Sequence, residues 1–488
     1  MTIDVEMKYA AQFKEDVGEV FNMINFFKTT ISIALTLSLS GCFLDSKSDE
    51  DSGVAPVGPT GSGSVGGQCS ATEANDSLFS YLQDWYYWES ELPGDFDGAS
   101  QPDIYSAMDA LRVEQDRFSF ILTDEEYADY QASVFFGYGF SQIRNDGNDG
   151  LSIRYVFDEG SAAQGGLRRG DTITAVDGKS IATILAEVDA GTNTLGDVFG
   201  PNEEGHTIAV TFEKPDGTEM SADFSKGRIT ANTVMATQIK NISVDGVDQK
   251  VGYLVFDSFD DRSEQELNES FNYFAQENID EMILDLRYNG GGLIRVAGQL
   301  STQIAGAAVE GEVFVDYKHN DKQQGQNRTS YFSLGAGIEK MDLDKVVVLT
   351  SRGSCSASEL VINALEPFIN VVTVGDNTCG KPVGMYPTDV CDYVVFAINF
   401  ETVNAEGTGG YFDGLEVDCP VTESITGDWG VDTDPLLVEG LSYLTTGRCS
   451  NDAGAVGYAI DGAAAIKKHV PGPHLDYRKG PWAAKNVF

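Results

Sequence analysis

One serine, one lysine and a run of glycines are the residues of this chain whose types and spacing could do chemistry. The serine is Ser356, within Ser351-Arg352-Gly353-Ser354-Cys355-Ser356-Ala357-Ser358-Glu359-Leu360. A β-branched strand there runs into small residues and then a helix. A hydroxyl is thereby placed at a helix N-terminus, where free N–H groups and the dipole favour negative charge. By itself such a serine is a cap. The lysine is Lys381, within Thr378-Cys379-Gly380-Lys381-Pro382-Val383-Gly384, just after a strand read as buried and in a largely uncharged setting. The glycines close Leu284-Asp285-Leu286-Arg287-Tyr288-Asn289-Gly290-Gly291-Gly292, where the backbone can approach another group and present N–H donors. A hydroxyl, a base and a pair of donors are what nucleophilic attack on an amide requires.

A lysine accepts a proton only when its amine is neutral. Its ordinary pKa is about 10.4, and a shift of about three units corresponds to roughly 4 kcal/mol of disfavoured charge. Desolvation alone moves a buried lysine by about 3–5 units, and Val374, Pro382 and Val383 supply apolar neighbours. The four histidines are His206, His319, His469 and His474, none near the serine segment in sequence, which weakens a Ser-His-Asp triad.

The elements that must bring these segments together alternate strand and helix. Val251–Phe256, Glu281–Leu286, Lys345–Thr350 and Asn370–Val374 read as strands. Ser263–Asn278, Leu293–Ala305, Ser356–Phe368 and Asp434–Leu444 read as helices. That pattern predicts an α/β core over 229–448. Residues 69–133 read as a helical module whose aromatic stripe, Leu78 to Trp88, is core packing. A loop from Asp116 leads there to a Thr123 cap and a further helix. Residues 134–228 carry short alternating strands, Ser152–Val156, Thr172–Val176 and Thr207–Phe212. The expected class is multidomain α/β (α+β): an N-terminal helical module, a small β domain and a βα-alternating core.

Phe136-Gly137-Tyr138-Gly139-Phe140, followed by the segment Ser161 to Gly178, resembles a PDZ domain of the bacterial protease type. In such domains the first segment offers N–H groups to a peptide's terminal carboxylate, and the peptide adds as a strand. Ser-Ala-Ser-Glu at 356–359, Gly380-Lys381, the Asp-Leu-Arg-x-Asn-x-Gly-Gly pattern at 285–292 and the strand from Val251 to Phe259 resemble the carboxyl-terminal processing (tail-specific) proteases. The resemblance spans roughly Leu78 to Gly447. It implies Ser356 as nucleophile, Lys381 as general base, and an oxyanion hole from the N–H of Ala357 with one from Gly291 or Gly292. It implies Gly137, Tyr138, Gly139 and Phe140 as the peptide-carboxylate loop, protein or peptide substrates with exposed C-termini, and neither metal nor cofactor. Two positions depart from the family pattern. The Gln or Glu four residues after the lysine is Met385, only a weak acceptor, with Tyr386 and Asp389 as nearby substitutes. The Pro before the glycine pair is Gly290. The competing reading is a catalytically degenerate, PDZ-bearing binding lipoprotein. A Ser/Lys hydrolase of lipid-like substrates ranks third, disfavoured by the PDZ-like segments.

The N-terminus reads as an address. Met23 to Cys42 combines Lys28, an apolar stretch from Ile31 to Leu39 and Leu39-Ser40-Gly41-Cys42, which resembles a bacterial lipoprotein box with Cys42 lipidated. Residues 1–22 fit no such leader, so translation is expected to start at Met23. Phe43, not Asp, follows the cysteine, and the expected location is periplasmic, anchored to the outer membrane of a Gram-negative cell by lipid alone. Residues 43–68 are rich in Ser, Asp, Gly and Pro with almost no large apolar side chain and predict a flexible tether. Residues 449–488 read as an extended tail.

Composition bounds the rest. A chain of 488 residues suggests about three domains. A formal charge of -44 argues against nucleic acid, whose phosphates it would repel. Six cysteines besides Cys42 (Cys69, Cys355, Cys379, Cys391, Cys419 and Cys449) suggest disulfides, with 15 pairings open. No Cys/His cluster has zinc spacing. Asn145-Asp146-Gly147-Asn148-Asp149-Gly150 lacks the closing Glu of a calcium loop and reads as a hairpin turn.

Overall fold

The computed structural model describes residues 69–451. The expected leader from Met23, Cys42 as the expected lipidation site, the expected tether, residues 452–488 of the expected tail, His469 and His474 lie outside the described residues.

The core is a six-stranded sheet in the spatial order Val234–Val244, Val247–Phe256, Glu281–Asp285, Lys345–Thr350, Asn370–Gly375 and Cys419–Pro420. The first two strands form an antiparallel hairpin, and from the second onward all neighbours are parallel. Parallel strands are covered on both faces, which explains their unbroken apolar sequence. Leu284, Val346 and Val348 pack with Leu267, Phe271, Val296 and Leu360 of the helices Ser263–Glu277, Ile294–Ala305 and Ala357–Leu365. The alternate residues Ile283, Val347 and Leu349 pack with Leu436, Leu437 and Leu444 of the helix Pro435–Thr446. A one-residue slip in register would exchange these two sets.

A second, antiparallel sheet (Arg328–Tyr331, Val313–His319, Ile398–Val403, Val383–Met385) was not expected from the sequence. Its pairings join distant segments, Asp316 opposite Val403 among them, so no local turn signal announces it.

The N-terminal helices Ala71–Trp85, Ile104–Leu111 and Asp124–Gln131 form as the caps predict. Ser70 and Glu73 close a capping box on the first helix, Thr123 and Glu126 on the third. The module is not separate from the core, however. Its strand Phe120–Thr123 pairs with Tyr393–Phe396, and Cys69 is bonded to Cys391. Leu78, Tyr86, Met108 and Phe118 share one apolar cluster with Cys355, Cys379, Val383 and Ile398. The module thus shares its apolar core with the segment 355–398 of the α/β region. The other disulfides are Cys355–Cys379 and Cys419–Cys449. The last corrects the reading of the tail, because Cys449 is held to the core strand at Cys419.

Residues 134–230 form the small β domain, with six strands in one sheet that runs from Phe140–Arg144 to Glu219–Ser225, the short Lys179–Ser180 pairing with Thr172–Val176. Leu151 and Ile153 face its core while Ser152 and Arg154 are less buried, the period of two that a half-buried strand requires, and Tyr155 packs in a separate cluster with Phe135, Phe157 and Tyr288. Val134–Gly137 pairs with Gly227–Thr230 as a stem. Asn145–Gly150 is a turn in which the Asn145 side chain accepts from the N–H groups of Asp149 and Gly150.

This domain docks on the core through Arg169, which donates to the Tyr288 hydroxyl at 3.0 Å and lies over the Trp429 ring. Behind it sits a buried ion cluster. Arg287 binds Asp285 at 2.7–3.0 Å and Asp434 at 2.9 Å. Burial opposes the charge of Arg287, but the two carboxylates more than offset it and push the guanidinium well above its ordinary pKa. Arg287→Met strands two buried carboxylates, and urea denaturation should show a loss of about 3–5 kcal/mol.

Candidate active site

Ser356 closes the turn between the strand Lys345–Thr350 and the helix Ala357–Leu365 with φ +56° and ψ −112°, a conformation costly for a non-glycine residue and over-determined by what surrounds it. Ala357 is the first helical residue. Gly291, at φ +98°, packs directly behind: a Cβ there would lie 2.7 Å from the Ser356 Cβ and 2.9 Å from the Ala357 nitrogen. Only glycine permits that approach. The Gly291 N–H donates to Asn289 Oδ1 at 2.9 Å. Gly292, at φ +139°, is exposed, and its neighbours Gly291 and Leu293 bracket Phe259 through main-chain bonds.

Asn289 joins the glycine turn to the serine turn. Its side chain donates to Phe256 O at 2.9 Å, while its carbonyl accepts from the Cys355 N–H at 3.0 Å and the Ser358 hydroxyl at 2.9 Å. Glu359 joins the serine turn to the lysine loop. Its fully buried carboxylate accepts from the N–H groups of Ser356 (2.9 Å), Gly380 (2.8 Å) and Lys381 (2.8 Å) and from the Thr378 hydroxyl (2.5 Å). Burial pushes the Glu359 pKa up, and these donors act against that shift. One carboxylate oxygen thus bonds the main chain of both Ser356 and Lys381. The Cys355–Cys379 disulfide ties the same two loops a second time, with Cα atoms 5.1 Å apart.

The Lys381 amine lies 5.5 Å from the centre of the Phe118 ring. Part of the residue's stem is exposed, but the amine is enclosed by protein. This burial lowers its pKa from 10.5 to about 8, while the charges of Asp116 and Glu359 act in the opposite direction. Met385 does not substitute for an amide here; its side chain packs into the apolar cluster that contains Phe118. Tyr386 and Asp389 do not fill that role either. The Tyr386 hydroxyl meets His319 Nε2 at 3.1 Å, and Asp389 is exposed. His319 is further engaged by Asn327 at Nδ1, and His206 packs against Gly200 in the β domain.

Sequence reasoning missed Glu359, Asn289 and the contribution of residues 116–118. The Ser-x-x-Glu spacing of a capping box was a signal for Glu359. An Asn closing a strand before three glycines was a weaker signal for Asn289. Nothing local marks Arg117, whose guanidinium donates to the carbonyls of Cys379 (2.8 Å), Gly380 (3.4 Å) and Phe412 (2.8 Å).

The expected peptide loop, Gly137, Tyr138, Gly139 and Phe140, leads into the edge strand Phe140–Arg144. All four residues are buried. The Tyr138 hydroxyl donates to Phe199 O at 2.8 Å, and Gly139, at φ +96°, abuts Gly160. The outer edge of this strand pairs with no other strand among the described residues.

The catalytic-domain description "Peptidase family S41" matches residues 250–420, and "Peptidase S41 N-terminal domain" matches residues 73–120. Residues 250–420 are an S41 peptidase domain. The S41 match takes in the glycine turn, Ser356, Glu359 and Lys381, and the N-terminal match takes in Asp116–Phe120. Among curated relatives, the chain is 25% identical over 286 residues to the carboxyl-terminal-processing protease of Picosynechococcus sp. (strain ATCC 27264 / PCC 7002 / PR-6), covering 58% of this chain and 64% of that one. It is 24% identical over 287 residues to the carboxy-terminal processing protease CtpB of Bacillus subtilis (strain 168), covering 58% and 54%. The chain thus spans between half and two thirds of the length of these relatives. A crystal structure of an S41-type protein from Bacteroides fragilis NCTC 9343 superposes with a TM-score of 0.60 at 22% identity, over 75% of this chain and 96% of the other, so the fold is shared.

The S41 site is clamped across a loop with a sequence separation of 24. Replacing Cys355 and Cys379 by Ala should cost about 3 kcal/mol in thermal or urea unfolding. It should also slow acylation of Ser356 by a fluorophosphonate about 10- to 100-fold, since small misplacements of a nucleophile are expensive.

Proposed function

We propose that this S41 chain is a serine endopeptidase working through a Ser356/Lys381 dyad on proteins captured by their C-terminal tails. The observation that carries this reading is the enclosed Lys381 amine in a loop whose backbone shares the Glu359 carboxylate with the backbone of Ser356. The neutral amine takes the proton of the Ser356 hydroxyl as its oxygen attacks the scissile carbonyl carbon. The oxyanion forms at the helix N-terminus, facing the N–H groups of Ala357 and Gly292. Gly292 is preferred to Gly291 because the Gly291 N–H is engaged by Asn289. Two such donors contribute about 2.7–4 kcal/mol each. Collapse of the tetrahedral species breaks the C–N bond, the Lys381 ammonium gives its proton to the departing amine, and an acyl-enzyme on Ser356 remains. Water then attacks the ester, with Lys381 again as base, releasing the new carboxyl terminus and restoring the serine.

The β domain serves this reading as the PDZ module. Its strand Phe140–Arg144, at the end of the sheet order, is the edge to which a peptide would add, with Gly137–Phe140 as the loop for the terminal carboxylate. Export and a lipid anchor at Cys42 remain part of the proposal and rest on the leader-like sequence alone.

Ser356→Ala and Lys381→Ala should each lower casein hydrolysis by about four orders of magnitude, whereas a degenerate binding protein would hydrolyse no casein in the wild type. Because the amine must lose its proton to act, the rate should rise with pH through a midpoint near 8. In wild type, a peptide substrate with an amidated C-terminus should react with a kcat/KM about tenfold lower than its free-acid counterpart, the loss of one charge-assisted hydrogen bond.

A further inference from the structure

Asp116 lies in the loop before Phe120, in the N-terminal module, and is 2% exposed. Its carboxylate is saturated. Oδ2 accepts from the hydroxyls of Tyr86 (2.7 Å) and Ser119 (2.5 Å), and Oδ1 accepts from the N–H groups of Phe118 (3.0 Å) and Ser119 (2.9 Å). Ser119 Oγ accepts in turn from the Ile398 N–H at 3.1 Å, which fixes the loop to the second sheet of the core. The two residues that follow Asp116 touch the lysine loop. Arg117 holds three carbonyls of the lysine loop and its surroundings, and the Phe118 ring faces the amine.

We propose that Asp116 is a positioning residue for Lys381: a fixed carboxylate, carried by the N-terminal module, that favours the ammonium formed when the base takes the serine proton. This rests on the Ser/Lys peptidase reading. Asp116 makes no hydrogen bond to Lys381 among the described residues, so it acts through its field. Its four hydrogen bonds prevent it from turning away or collapsing onto the amine. The role is needed because position 385 holds a methionine packed in apolar surroundings, where no amide can orient the amine.

The other charged and titratable groups around Lys381 have different tasks. Glu359 is committed to four donors of the serine and lysine loops. Arg117 donates to carbonyls, and so does Arg352, to Thr378 O at 3.1 Å. Tyr86 is occupied by Asp116, and burial with the nearby Glu359 pushes the Tyr411 hydroxyl well above its ordinary pKa. Asp116 and Glu359 are the two charges that raise the Lys381 pKa against burial, Asp116 the larger. Without Asp116, the amine sheds its proton at lower pH and is a weaker base.

The test uses the full chain, a fluorophosphonate probe and the pH dependence of the rate of Ser356 labelling. In wild type the acid limb should lie near 8. In Asp116→Asn it should move down by about half a unit or more, with a lower plateau, and Asp116→Glu should bring it back towards wild type. A plateau loss with an unmoved limb in a folded Asp116→Asn protein means a merely structural role and overturns the inference. If that variant does not unfold cooperatively, Tyr86→Phe decides. It leaves the carboxylate with one donor fewer and its charge less offset, so the limb should move up; an unmoved limb overturns the inference. Wild-type protein that is not labelled at Ser356 overturns the peptidase reading itself, an outcome distinct from a labelled protein whose limb does not shift.

Discussion

A single buried carboxylate holds the candidate site together. Removing Glu359 from water is costly unless donors replace the lost hydration. Four do so: the Ser356 N–H of the serine turn, and the Thr378 hydroxyl with the Gly380 and Lys381 N–H groups of the lysine loop. The arrangement works in both directions. The donors make the buried charge tolerable, and the charge makes the two loops interdependent. Cys355–Cys379 adds a covalent tie at the same place, and Asn289 extends the network to the glycine turn. Three segments that are far apart in the chain are thereby set by hydrogen bonds whose geometry tolerates little slack.

The chemistry proposed for the site depends on a balance between desolvation and charge. A lysine in water is protonated at neutral pH and is no base. One enclosed with no counter-charge loses its proton easily but cannot hold the proton it must take from the serine. Lys381 sits between these limits, with burial as the dominant influence and Asp116 and Glu359 opposing it. The N-terminal module is therefore more than a cover for the core. It contributes the aromatic face, the guanidinium that clamps the loop, and one of the two charges. The β domain meets the core through Arg169, which donates to Tyr288, one residue before Asn289.

Some of this was legible because the signal is local. The parallel strands of the core are β-branched runs, and the helices between them put apolar residues on one face, so βα alternation could be read directly. The glycine run after Asp285 declares itself by residue type, and Ser356 at a strand–helix turn and Lys381 between Gly and Pro by family motif. The antiparallel sheet around Ile398–Val403 could not be read, because its short strands pair across long separations. Nor could the service of Glu359 to Gly380 and Lys381, since capping-box spacing explains only the bond to the Ser356 N–H. The choice among the cysteine pairings was closed to the sequence for the same reason: it is a statement about distance in space.

Residue order alone was enough to specify the α/β class, from periodicity, and the small-residue turn, from the conformational limits of glycine, whereas Ser356 and Lys381 were singled out by resemblance to a family motif. Whether the amine would be dry, which glycine N–H would stay free, and that Asp116, Arg117 and Phe118 would reach a loop more than 260 positions away were decided only on folding. Desolvation and electrostatic fields depend on what packs within a few ångströms, and chain order does not record that.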